Sequence, residues 1–150
     1  MRESASLNRA AVQATLHCLT GCAIGEVLGM VVATSLAWGN AASIAISIVL
    51  AFCFGYALTL SPVLRAGVPL RRALGLTVAS DTVSIAVMEI VDNGFILLVP
   101  GALAAGLGDG LFWWSLAASL AIAFVVALPV NRRLIARGRG HAVVHELHAH

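Results

Sequence analysis

Four long apolar stretches, roughly Ala14 to Leu36, Ala41 to Leu60, Ala73 to Val99 and Leu111 to Val130, narrow the folds open to this chain more than any other feature. About 20 apolar residues cross a bilayer as a helix, and each stretch reaches that length. In hydrocarbon every backbone N–H and C=O must be bonded within its own segment, so such stretches fold as helices. The expectation is an all-α, polytopic membrane protein: a four-helix transmembrane bundle over residues 14–130, between a polar segment of residues 1–13 and an Arg/His-rich tail of residues 131–150. Composition points the same way. The chain is 60% hydrophobic and 11% charged, against about 45–50% and about 25% in soluble domains, which leaves too few charges to cover a soluble core.

The connections carry breakers: Ala37 to Asn40 is a short turn, Ser61 to Arg72 contains Pro62, Gly67 and Pro69, and Pro100 to Gly110 holds several glycines. All nine basic residues are arginines, and they lie in the first tail, the second connection and the last tail. The positive-inside rule therefore places both termini in the cytoplasm. Trp38, Trp113 and Trp114 fall at the opposite helix ends, where indole rings favour the headgroup level. Arginines that flank spans build no basic face for nucleic acid. Met1 to Asn8 lacks the pattern of a cleaved leader, so the first span is expected to be retained. Three cysteines, an odd number, argue against a disulfide framework, and Cys53 is expected to be a free thiol.

Four of the seven acidic residues sit inside spans: Glu26 in the first, and Asp81, Glu89 and Asp92 in the third. A carboxylate near the bilayer centre costs about 2.5–3.5 kcal/mol on insertion scales. At about 100° per residue, Thr77, Asp81, Ser84, Met88 and Asp92 share one face of the third span, with Glu89 at its edge. No basic residue lies within a span, so these groups must share protons, meet water or bind cations. The plain alternative is a set of protonated acids hydrogen-bonded between helices.

In the first span Cys18, Cys22 and Glu26 follow one another at intervals of four, beside a ridge of Gly21, Gly25 and Gly29 suited to close helix packing. Counted from the inner end, Cys22, Cys53 and Asp81 reach similar depths, which suggests one layer. Thiols beside carboxylates suit Cu(I) first and Zn(II) second, although cysteine also serves as a small apolar packing residue. His17 points away from Cys18 and is given at most a role in admitting an ion. His141, His145 and His148 fall on one helical face of the tail, where imidazoles offer a cytoplasmic metal relay or a solvated end. Catalytic motifs of soluble enzymes are absent, so no enzyme is expected.

The stretches "TLHCLTGCAIGEVLGM", "FGYALTLSPVLR", "SDTVSIAVMEIVDN" and "PVNRRLIARGRGHAVVH" resemble a bacterial integral-membrane family known only as domain of unknown function 4396. The resemblance implies a membrane protein and brings no activity with it.

The leading functional expectation is transport or handling of a transition-metal cation. Cys18, Cys22 and Glu26 would form an inner site, and Asp81, Met88, Glu89 and Asp92 a continuing path. One alternative is a proton-coupled exporter of small organic cations in which Glu26 alternates between proton and substrate. Another is a thiol redox or assembly partner of a second membrane complex. Four helices enclose little volume, so a homo-oligomer is expected around any path.

Overall fold

The computed structural model describes residues 1–137, and within them the expected four helices form the whole architecture. They are α1 (Arg2–Ser35), α2 (Asn40–Arg65), α3 (Leu70–Leu98) and α4 (Gly110–Ala136), with a single 3-10 turn at Ala102–Ala104 and no strand among the described residues. All four are long and apolar enough to cross a membrane, and the chain is a multi-pass membrane protein. The histidines of the tail, His141, His145 and His148, lie outside the described residues.

Sequential helices pack as neighbours and α4 returns to α1, so α1 and α3 face each other diagonally across the bundle. Antiparallel succession brings the beginning of α1 beside the end of α4, where Arg132 Nε donates to Asn8 Oδ1 at 2.6 Å. The arginine-bearing connection and tails thus share one end of the bundle. The first and third connections, which contain no arginine, form the other end.

The helices run past the apolar boundaries at three points. α1 starts at Arg2, not near Ala14, because the preceding residues are good helix formers and Ala11 and Ala14 pack against Ile135 of α4. α2 continues to Arg65 through Pro62, and α4 to Ala136 through Pro129. Apolar length measures the hydrocarbon crossed, whereas a helix ends where its backbone bonds end. Turns close both arginine-bearing and arginine-free connections, with Gly67 (φ 85°) and Gly101 (φ 81°) in the left-handed region that glycine adopts without steric penalty.

The glycine ridge of α1 packs inside the chain, against α2. Gly21 meets Gly55, Gly25 meets Ala51 and Gly29 meets Ser47, an antiparallel register in which backbone lies on backbone. A Cβ added at Gly21 would stand 2.8 Å from the Gly55 Cα. Lipid offers little hydrophobic drive between helices, so close approach of small residues supplies the dispersion contacts that hold the pair.

Candidate functional site

On α3 the buried positions are Ala73, Thr77, Ser80, Asp81, Ser84, Ile85, Met88, Glu89 and Asp92, a stripe with helical spacing that faces the bundle interior. α1 buries Thr15, Cys18, Cys22 and Glu26 on the same face as its glycines. The polar stripes of α1 and α3 therefore meet at the bundle centre, joined by Ser115, Ser119 and Asn131 of α4 and by Ser47 and Thr59 of α2.

The contacts form successive layers from the arginine-bearing end. Asn131 Nδ2 donates to Thr15 Oγ1 at 3.0 Å, and that hydroxyl donates to the Ala11 carbonyl at 2.7 Å. His17 Nε2 lies 2.9 Å from Thr59 Oγ1. The Cys18 thiol lies against Asp81 and Ser84, and Ser80 Oγ donates to Asp81 Oδ1 at 2.8 Å. One turn further, the Cys22 thiol lies against the Glu89 carboxyl, which accepts from Asn93 Nδ2 at 3.2 Å. In the next layer the Glu26 and Asp92 carboxyls come together across the diagonal, and Ser119 of α4 donates to Asp92 Oδ1.

Glu26 Oε1, Glu89 Oε1 and Asp92 Oδ2 are buried and accept no hydrogen bond from any donor in the described residues. Two ionised carboxylates offer acceptors only, and at contact in a low-dielectric interior their repulsion is severe. A proton shared by Glu26 and Asp92 would supply the missing donor and remove one charge. Among the described residues no ion pair neutralises Glu26, Glu89 or Asp92.

The Glu26–Asp92 layer borders a cleft of about 40 Å³ at the arginine-free end, lined by Glu26, Ser47, Asn93 and Ser115 together with Met30 and Phe112. A wider vestibule of about 400 Å³ shares Met30, Asn40, Ser43 and Leu103 with it. Its rim is held by the third connection, where Trp113 Nε1 donates to the Leu107 carbonyl at 2.8 Å and Asp109 Oδ2 accepts from the Gly106 N–H at 2.7 Å. Asp109 is thus a loop clasp as well as a solvated residue.

Cys53 is exposed on the outer side of α2 and takes no part in a layer with Cys22 and Asp81. Ala51 and Gly55 turn inward toward α1, which sends residue 53 to the opposite side of α2. Asp81 shares its layer with Cys18, not Cys22. Cys18 and Cys22 are reduced, and each faces a different part of α3. Among the described residues no three His, Cys, Asp or Glu side chains are grouped to hold a metal ion.

Ser119, Asn93, Ser115, Ser47 and the Thr15–Asn131 pair belong to the interior and were not singled out from sequence. The signal was present as small residues every four positions: Ser115, Ser119, Ala123 and Ala127 on α4, and Ser47, Ala51, Gly55 and Thr59 on α2. For the Thr15–Asn131 bond, Thr15→Val is expected to cost about 1–3 kcal/mol because it strands a buried amide donor, while Thr15→Ser stays near the parent. Thermal unfolding in detergent measures both.

No curated protein matches the chain, and neither does any solved structure. One family model does match, over residues 7–140, nearly the full length of the chain and all four helices. The chain belongs to the family described as Domain of unknown function (DUF4396).

Proposed function

We propose that this protein is a proton-coupled transporter of a small cation in the bacterial inner membrane, with both termini cytoplasmic and the Glu26–Asp92 pair as its coupling group. One observation carries the reading: two buried carboxyls meet at the bundle centre, Glu26 of the pair lining a cleft, and among the described residues no ion pair neutralises them. Such a pair holds one proton in place of one charge. An arriving cation supplies the same neutralisation, so the two compete for the site and their movements are coupled. Arginine at one end only supports the orientation, which turns the cleft toward the periplasm.

The test is proton release from purified protein in weakly buffered detergent on addition of Na⁺, methylammonium or tetraphenylphosphonium. The parent is expected to release protons with at least one of these cations, and Glu26→Gln to release none. Silence of the parent with all three, or undiminished release from Glu26→Gln, overturns the reading.

A soft-metal path is a second reading, favoured by the burial of Cys18, Cys22 and Met88 in one core cluster. With no preformed group of ligands among the described residues, it requires the helices to shift on binding. Stoichiometric Cu(I) or Zn(II) in the loaded parent, absent from Cys18→Ser/Cys22→Ser by mass spectrometry, supports it. Equal metal in both proteins removes it.

A further inference from the structure

We infer that the cleft at the arginine-free end is a binding site for a small primary ammonium ion, about the size of methylammonium, held by the Glu26 carboxylate. The inference rests on the proton-coupled reading and adds the class of substrate and its seat.

Size is the first constraint. A bound water needs about 10–15 Å³ on the scale that gives this cleft about 40 Å³, so the space takes a molecule of roughly three heavy atoms. A quaternary ammonium with four carbon substituents exceeds it. The larger vestibule lies outside and leads toward it.

Chemistry is the second. Glu26 is the one ionisable side chain in the lining, it is 8% exposed, and its Oε1 accepts no hydrogen bond from the protein. Ser47 and Ser115 line the same cleft from α2 and α4, and Asn40, Ser43 and Asn93 add further polar side chains. The Ser115 proton is already committed to the carbonyls of Leu111 and Phe112, which leaves its oxygen free to accept. An R–NH₃⁺ group brings three N–H donors to a lining that holds one carboxylate and several polar side chains. Most of the exposed lining is apolar and includes Met30 and Phe112, which offer carbon surface to a methyl group. A bare alkali ion asks for oxygen on every side and meets carbon over much of this surface.

Binding balances without a co-reactant. The ammonium ion places its positive charge at Glu26, and the proton held between Glu26 and Asp92 leaves to water, so the charge of the site is unchanged.

The test uses full-length protein in detergent. Calorimetry with methylammonium, tetramethylammonium and Na⁺ reads binding, a pH electrode reads proton release, and Phe112→Ala serves as a variant that widens the cleft. The parent is expected to bind methylammonium at least about tenfold more tightly than tetramethylammonium, since even one excess group in a narrow cleft is worth about that factor. Phe112→Ala is expected to shrink the preference to within about threefold by admitting the larger ion. Equal affinities in the parent, or an unchanged preference in a folded Phe112→Ala, overturn the inference. Proton release with tetramethylammonium or Na⁺ but not methylammonium overturns it and leaves proton coupling standing. Methylammonium binding with the expected preference but without proton release leaves the site standing and overturns the coupling.

Discussion

Gly25→Val is expected to abolish the folded bundle, with the purified protein aggregating on size exclusion and showing no cooperative thermal transition. The reason is the identity of the obstacle. At Gly25 an added Cβ runs into the backbone of Ala51, and on either side Gly21 and Gly29 meet Gly55 and Ser47 in the same manner. A flexible side chain moves aside, but backbone inside a helix does not, so α1 and α2 must separate along their whole contact. Overpacking a core costs about 1–3 kcal/mol where neighbours can adjust, and more is expected here because the ridge is the largest helix contact in the molecule. Gly94→Ala supplies the contrast. Gly94 lies within α3 with open space around its Cβ position, so alanine there is expected to raise stability by about 0.5–1 kcal/mol. A parent-like melting profile for Gly25→Val would show that α1 and α2 do not touch along this ridge.

The same ridge shows what was legible in the sequence and what was not. Its packing role follows from Gly21, Gly25 and Gly29 alone, because glycine every fourth residue makes a flat strip that only another backbone fills. Its partner does not follow, since docking on α2 requires the matching strip of Ser47, Ala51 and Gly55. Four spans were legible because hydrocarbon length sets a minimum for each, and the polar face of α3 because an acid, a hydroxyl and a thioether recur at helical spacing. Cys53 and Asp81 show the limits of counting depth: rotation about the helix axis is set by the neighbour that docks, and the axial offset between helices moves Asp81 to the layer of Cys18. The Ser119–Asp92 bond joins residues 27 apart in sequence. It was hidden because serines in an apolar span read as tolerated small residues until their partner is known. Helix ends were the least legible, because Arg2 to Asn8 and Asn131 to Ala136 are polar yet helical, held by packing between α1 and α4 outside the apolar stretches.

The interior as a whole is arranged to separate two kinds of polar group. At the arginine-bearing end the Thr15, Asn131 and Ala11 contacts place donors on acceptors, and the oxygens left over there, Asn131 Oδ1 and Thr77 Oγ1, are neutral. At the arginine-free end the carboxyls of Glu26, Glu89 and Asp92 keep acceptors near one another, and Glu26 lines a cleft. Stability alone does not call for the second arrangement. An apolar interior fills the same volume with no unsatisfied oxygen, and positions that break a local rule without a structural gain are where function is expected.

That argument yields the second large effect: Glu26→Leu/Asp92→Val is expected to be more stable than the parent and inactive. Replacing a buried polar pair by apolar residues of similar volume is often neutral or stabilising by about 1–4 kcal/mol. Here it removes two acceptors, Glu26 Oε1 and Asp92 Oδ2, that have no donor among the described residues, and Ser119 keeps its bond to the Leu116 carbonyl, so no new polar group is stranded. Cation-driven proton release should disappear in the same protein, since neither carboxyl remains to hold the proton. The opposite pattern defines a structural pair. If the double apolar variant melts below the parent while Glu26→Gln/Asp92→Asn keeps both parent stability and proton release, the two acids are a hydrogen-bonded strut between α1 and α3, and transport through them is excluded. A gain in stability joined to a loss of proton release is the signature of a site kept in the bundle for its chemistry, in the usual exchange of stability for activity.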